Sequence, residues 1–283
     1  MSPVTDAEFA RFCEFLYRRT GIHLTPARRA YADRRLAERM AATRSRSFAV
    51  YFARLRAGLG GEAEQLVNAF TVNETYFFRE EYQLRCLSAA LMDRVAAGRP
   101  PGAPLRIWSH PCSTGEEAYS IAIWLLEHWG AVDRYDIEIV GSDIDTRALA
   151  AARAGLYGAR ALMRLSPDLV ARYFVREATP LGEGWRIIAA LRDSVRFSPC
   201  NLMEAAAMRS EGAFDVIFCR NVLIYFDDAS RRVAAGHLHE SLNPGGFICL
   251  GHTESMSRIS PLFRVCRFAD AFVYQRPPEG EHV

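Results

Sequence analysis

Residues 105–124 read LRIWSHPCSTGEEAYSIAIW, and the order of residue types here decides the fold. An apolar run, LRIW, ends in a polar turn with a single glycine, Gly115, and two adjacent acids, Glu116 and Glu117, open a segment of helical character. Strand, polar turn and helix in that order form the nucleotide-binding corner of an open parallel sheet. A pyrophosphate, however, needs the close backbone approach of G-x-G-x-x-G, and two acids would repel it. A cofactor with a cationic centre turns that repulsion into attraction, and the sulfonium of S-adenosylmethionine with its neighbouring ammonium is such a centre. Acids also favour the first turn of any helix, so the pair alone leaves both readings open.

The alternation continues downstream. Apolar runs fall at 105–109, 137–143, 214–219, 246–251 and 272–275, with helical patterns near 116–129, 146–154 and 230–241. This predicts an α/β fold, a mainly parallel sheet covered on both faces. Residues 157–196 break the pattern with LSPDLVARYF, a TPLGEG turn and WRIIAAL, and are predicted to be an inserted hairpin-like subdomain. The breaker cluster GRPPGAP, residues 98–104, precedes the first strand. Upstream, residues 5–20 open with a Thr5–Glu8 capping box, space Phe9, Phe12, Phe15 and Leu16 helically, and stop at Gly21. A second helix starts at Thr25 and Pro26, and further helices are predicted at 47–57 and 61–70. The expected organisation is a helical N-terminal domain over 1–72, a connecting helix and linker over 73–104, and a sheet domain over 105–276. The tail RPPEGEHV is expected to lack order.

With 283 residues, half of them apolar, and a net charge of +2, the composition is that of a soluble globular protein. No apolar run approaches the roughly 18 residues of a membrane span, and the N-terminus has no basic-then-apolar signal pattern. The expectation is a cytoplasmic protein with no membrane insertion. Seven scattered cysteines form no C-x-x-C, which argues against a disulfide framework or a zinc site. His237 and His239, two residues apart, point away from each other on a helix, and no metal is expected. Every basic residue is arginine; Arg28, Arg35 and Arg39 fall on one face of the second helix. Nearly balanced charge without an aromatic-basic reading motif argues against nucleic acid.

Ligands of open parallel sheets bind where strands end and helices begin. GSDID puts Asp143 just past the second strand, about 26 residues beyond Glu117, where an acid accepts hydrogen bonds from a ribose diol. That placement suits dinucleotides and adenosyl cofactors alike. CRNVLIYFDD sets Arg220, Asn221, Tyr225 and Asp227 at the same edge after a buried-looking strand. TVNETYFFRE, residues 71–80, mixes the polar Asn73, Thr75 and Arg79 with Tyr76, Phe77 and Phe78 in the connection between domains.

With NETYFFRE, STGEEAYSIA, GSDID, FDVIFCRNVLIYFD and LNPGGFICLGHTES in that order behind a helical module, the chain resembles the chemoreceptor glutamate methyltransferase family, CheR, from about residue 9 to 274. The resemblance implies an all-helical N-terminal domain before a Rossmann-like S-adenosylmethionine-dependent methyltransferase domain carrying a small inserted antiparallel β-subdomain. It implies methyl esterification of glutamates on the cytoplasmic helical region of chemoreceptors, with S-adenosyl-L-homocysteine as the spent cofactor and a monomeric enzyme. Carried over by position, Asn73, Thr75 and Arg79 contact the cofactor, Glu117 its methionine or ribose region, and Asp143 the ribose. Asn201, Leu202, Arg220 and Asn221 flank the adenine, and Tyr225 sits near the methyl. Arg28, Arg35 and Arg39 face the acidic receptor, and the insert is where some members dock a receptor tail.

Two departures stand out: His110 and Pro111 replace the small residues more common in the turn, and the insert reads REATPLGEG where tail-binding members have a glycine-richer loop. The first supports an alternative, a catalytically impaired cofactor-binding module that only docks on receptor arrays. A glutamate carboxylate is ionised at neutral pH and needs no general base, so Tyr225 and Arg79 are assigned to positioning. No N-P-P-Y-like stretch follows residues 214–219, which argues against methylation of amide or base nitrogen.

Overall fold

The computed structural model describes residues 4–99, 102–180, 182–269 and 271–281. Helix α1 (Asp6–Thr20) starts where the Thr5 hydroxyl accepts the Glu8 N–H at 3.3 Å and the Glu8 carboxylate accepts the Thr5 N–H at 3.0 Å. It ends at Gly21, whose φ of 73° is left-handed. The helix expected from Thr25 is split into a 3₁₀ turn (Pro26–Arg28) and α2 (Arg29–Ala42), followed by α3 (Phe48–Arg56) and α4 (Glu62–Phe70). Phe12, Leu16, Leu36, Tyr51, Leu66 and Phe70 close a core of their own.

The segment read as a connector is a helical rod of α5 (Glu81–Cys86), a π-helical turn (Leu87–Leu91) and α6 (Met92–Ala97). Its Leu84, Leu87, Leu91 and Met92 share a core with Ile107, Ile121 and Phe218, so the rod packs with the sheet. Pro100 and Pro101, the centre of the breaker cluster, lie outside the described residues.

Strand β1 (Leu105–Ser109) leads through α7 (Glu116–His128) to β2 (Ile137–Asp143) and α8 (Thr146–Ala154). The insert follows: β3 (Leu156–Tyr157), α9 (Pro167–Tyr173), β4 (Phe174–Thr179), β5 (Gly182–Ile187) and α10 (Ala189–Ser194), its strands forming an antiparallel sheet in the order β3-β5-β4. The main sheet resumes with β6 (Val195–Pro199), α11 (Ala205–Ser210), β7 (Phe214–Cys219), α12 (Asp228–Glu240), β8 (Leu242–Leu250), β9 (Arg264–Arg267) and β10 (Phe272–Gln275).

The main sheet runs β6-β2-β1-β7-β8-β10-β9, parallel from β6 to β8 and antiparallel at β10 and β9. Ile107, Val216 and Phe218 point into one core, whereas Trp108, Ile217 and Cys219 point into another, so the central strands are buried on both faces. The chain steps from β1 to β2 on one side and later returns to β7 on the other, which opens a crevice at the strand ends.

Two boundaries differ from expectation. The insert ends before Val195, because Val195 pairs in parallel with Ile139 as the start of β6. The tail is held where it begins: the Arg276 guanidinium donates to the carbonyls of His239 and Leu242 at 3.1 and 2.7 Å.

Candidate functional site

At the C-terminal ends of β1, β2, β6 and β7, the sheet and the helical module enclose a cleft of about 1240 Å³, its open mouth included. Asn73, Thr75, Arg79, Glu117, Asp143, Asn201, Leu202, Arg220, Asn221, Tyr225 and Arg28 all line it; Arg35 and Arg39 do not.

After β1 the chain turns under itself. The Cys112 N–H donates to the Ser142 carbonyl at 2.8 Å, and the Ser113 N–H donates to Asp143 Oδ2 at 2.8 Å. Gly115 takes φ 93°, and a Cβ there would stand 2.9 Å from Ala152 Cβ, so the approach of α7 to α8 excludes any side chain. Asp143 Oδ1 accepts the Asp145 N–H at 2.8 Å. Burial pushes the Asp143 carboxyl up to about 6, against the pull of the Asp145 and Ser113 N–H groups. A carboxylate fixed in this way by backbone keeps lone pairs for hydroxyls arriving from the cleft.

The two acids of the turn part company. Glu117 accepts from Ser109 Oγ at 2.7 Å and from the Arg220 guanidinium at 2.9 Å; burial pushes its carboxyl up while Arg220 opposes the shift. Glu116 does not line the cleft and accepts from Thr114 Oγ1 at 2.6 Å, so of the two acids only Glu117 faces it. Arg220 is buried, bridges Glu117 and Glu80 (3.2 Å), and donates to the Arg79 carbonyl at 2.7 Å. Burial raises the Glu80 carboxyl, but Arg220 and His252 outweigh it and hold it below the usual range.

The expected grouping of Arg220 with Asn201 and Leu202 is not the one the structure makes. Arg220 follows β7 and is fixed to Glu117, whereas Asn201 and Leu202 follow β6, on the far side of β2 and β1. The Asn201 amide is also engaged: it donates to the Arg19 carbonyl at 2.8 Å and accepts the Met203 N–H at 3.0 Å.

The 71–79 segment is tied to the sheet by Asp145, which the sequence reading missed. One oxygen of Asp145 accepts the Arg147 and Ala148 N–H groups as the cap of α8, at 2.9 and 3.1 Å. The other accepts the Thr71 hydroxyl and, at 2.8 Å, Asn73 Nδ2. Asn73 Oδ1 in turn accepts from Ser113 Oγ at 3.1 Å, and Arg79 donates to the Glu74 carbonyl at 2.7 Å. The signal for Asp145 was an N-cap acid directly before the helical run TRALAAARA.

After β7, Asn221 turns at φ 59° and its N–H meets Glu254 Oε2 at 2.8 Å. A Cβ on Gly251 would fall 2.6 Å from Asn221 Nδ2, so this crossing needs glycine. The Arg28 guanidinium lies 5.3 Å above the Tyr225 ring. Burial raises the Tyr225 phenol, and Arg28 and Arg79 counter it. Asp227 caps α12 at the Ser230 N–H and accepts from Tyr17, a structural duty.

The three arginines expected on one face are separated. Arg28 turns to the cleft, Arg35 pairs with Glu38 at 3.1 Å, and Arg39 makes two bonds to Glu62 (2.9 and 2.6 Å), which also accepts from Tyr51 at 2.8 Å. Arg39 is therefore part of the helical core and not of a docking face. His110 does not obstruct the cleft: it is buried, stacked on Trp108 at 4.9 Å, bonded to Ser142, and driven to about 4 by burial, hence neutral at pH 7.

A long cleft lined by two largely buried carboxylates, Asp143 at the end of β2 and Glu117 at the start of α7, has room and charge for S-adenosylmethionine. Among the described residues no cluster of His, Cys, Asp or Glu could hold a metal ion, and no helix is long and apolar enough to cross a membrane.

Residues 7–71 match the family model of the CheR methyltransferase all-alpha domain, and residues 73–272 that of the CheR methyltransferase SAM binding domain. The chain is 47% identical to chemotaxis protein methyltransferase 2 of Vibrio cholerae, over 98% of this chain and 96% of that protein. It is 37% identical to the chemotaxis protein methyltransferase of Salmonella typhimurium, over 90% and 86% of the two chains. With that of Escherichia coli it shares 35% identity over 92% and 88%.

Proposed function

The chain belongs to the CheR methyltransferase family, with S-adenosylmethionine as its cofactor, and on that premise we propose that it forms methyl esters on glutamate side chains in the cytoplasmic helical region of a chemoreceptor. The observation that carries the choice of acceptor is the pair of arginines beside Tyr225, which outnumber the one carboxylate, Glu74, that acts on the same phenol. Arg28 stands over Tyr225, and Arg79 acts on the same phenol. An anionic acceptor is drawn to such a pair, whereas a cationic amine is repelled.

When bound, S-adenosylmethionine supplies an electrophilic methyl on its sulfonium. The protein's share is binding, alignment and exclusion of water. Asp143 is held by two N–H groups to receive hydroxyls, and Glu117 is held by Ser109 and Arg220 to face positive charge. Asn73 and Thr75 close the cofactor side from the 71–79 segment, with Leu202 and Asn221 on the opposite walls. Tyr225 and Arg79 position the carboxylate, which needs no base because it is ionised at neutral pH. Ile22, Leu24 and Phe70 of the helical module line the cleft, and displacing water there favours a reaction in which opposite charges cancel. Arg35 remains the arginine of α2 suited to the protein substrate.

The test is incubation with methyl-labelled cofactor and a chemoreceptor cytoplasmic fragment. Base-labile label on the fragment supports the reading; intact S-adenosylhomocysteine binding with no such label refutes glutamate esterification.

A further inference from the structure

A second cleft of about 790 Å³, its open mouth included, lies on the other side of the active-site turn. The 3₁₀ turn Leu223–Tyr225 is the wall between the two: Tyr225 lines the cofactor cleft, whereas Leu223 and Ile224 line the second. Opposite stand Arg231 and Arg232 of α12 and the 253–259 loop with Arg258. The charges in it are unequally matched. Arg231 donates to the Leu223 carbonyl at 2.9 Å and pairs with Asp228 at 3.2 Å, which braces the wall itself. Glu254 turns Oε2 inward to the N–H groups of Asn221 and Gly251, at 2.8 and 2.9 Å. Arg232 and Arg258 are exposed and form no ion pair among the described residues. The cleft therefore presents two uncommitted guanidinium groups, the hydroxyl side chains of Thr253 and Ser255, and an apolar rim at Ile224, which is 46% exposed.

We propose that this second cleft receives carboxylates of the protein substrate that flank the glutamate being methylated, so that the enzyme reads an acidic helical surface and not a single side chain. The proposal rests on the reading of the acceptor as a glutamate on a helix. Uncommitted guanidinium groups beside hydroxyls match carboxylates in charge and hydrogen bonding. A helix laid with one glutamate at Tyr225 and its body over Ile224 brings residues one and two turns away, about 5 and 11 Å, to this side of the wall. Ile224 offers that helix its apolar contact.

The test uses two synthetic helical peptides, each with one target glutamate. One carries further glutamates one and two turns away; the other carries glutamines there. Binding is read by fluorescence anisotropy in the presence of S-adenosylhomocysteine, without turnover. The wild-type protein should bind the acidic peptide about fivefold more tightly than the glutamine peptide, and Arg232→Gln with Arg258→Gln should abolish that preference. S-adenosylhomocysteine affinity of the double variant should stay at the wild-type value, which also reports an intact fold. Equal binding of the two peptides by wild type, no binding of either, or a preference retained in the double variant overturns the proposal. Failure of the methylation reading looks different: the acidic preference is present, but no base-labile methyl ester forms on either peptide.

Discussion

Asp145 gives the sharpest test, because one buried carboxylate holds both a helix and a binding segment. It is 1% exposed, caps α8 with one oxygen, and receives Thr71 and Asn73 with the other. Asp145→Ala removes a cap worth about 1 kcal/mol and two hydrogen bonds to a charged acceptor worth about 1.5 kcal/mol each at the low end. The expected loss in urea unfolding is about 4 kcal/mol. Asp145→Asn separates the two duties. Its amide oxygen still caps α8, but its NH₂ meets the Asn73 NH₂ as donor against donor, and the Thr71 hydroxyl, turning its hydrogen to the Asn68 carbonyl, accepts a neutral bond where it had donated to a charge. That variant should lose only about 1–2 kcal/mol and yet bind S-adenosylhomocysteine about tenfold more weakly, equivalent to about 1.4 kcal/mol, because the 71–79 segment is released. Circular dichroism in urea and calorimetric titration read the two quantities separately. Equal destabilisation by Ala and Asn, or wild-type affinity in the Asn variant, would refute the reasoning.

Ligand hydroxyls donate to the ionised form of Asp143, so affinity for S-adenosylhomocysteine should be full above about 6 and fall as pH drops through that value, toward about tenfold per pH unit; a flat dissociation constant down to about pH 5 removes Asp143 from the site. Arg39→Gln strands Glu62, which is 3% exposed, and should cost about 3 kcal/mol in urea unfolding without changing the receptor KM; an altered KM at unchanged stability would return Arg39 to a docking role. Tyr225→Phe should keep kcat within about fivefold, because the ring and not a proton is what it contributes, whereas Tyr225→Ala should lose about 100-fold with cofactor affinity unchanged. A collapse of kcat in the Phe variant would assign the phenolic O–H a direct part.

The elements that could be read early were those whose pattern is set locally. Strand β7 and helix α8 have the expected bounds because apolar runs and an N-cap acid mark them without reference to the rest of the chain. Strands β6 and β9 were missed, since VRFSP and RVCR at the two sheet edges carry exposed arginines and have only one neighbour to declare them. The same division runs through the site. Asp143 ends a strand, and Glu117 and Tyr225 lie in the helix start and turn that follow strands, where topology alone predicts a ligand. Glu80, Asp145 and Glu254 do their work through partners 140, 72 and 33 residues away in sequence, and no local pattern announces such contacts. Arg39 was misplaced for the same reason: helical spacing puts it on the face of Arg35, but α4 brings Glu62 over that face.

The turn that follows α1 spans the mouth of the cofactor cleft and is fastened at both ends. The Arg19 carbonyl holds Asn201 on the β6 side, while the His23 N–H bonds to the Tyr225 carbonyl at 2.9 Å and Ile22 bridges Phe226 on the β7 side. A strap drawn from one folding unit thus ties together the two rims of another. The rims cannot part while it holds, so the exit of the spent cofactor becomes a property of the seam between the units and not of any loop in the sheet domain. The turnover clock then sits in that seam: Asn201→Ala, which cuts one fastening, should quicken stopped-flow release of S-adenosylhomocysteine, and an unchanged release rate would place the clock elsewhere.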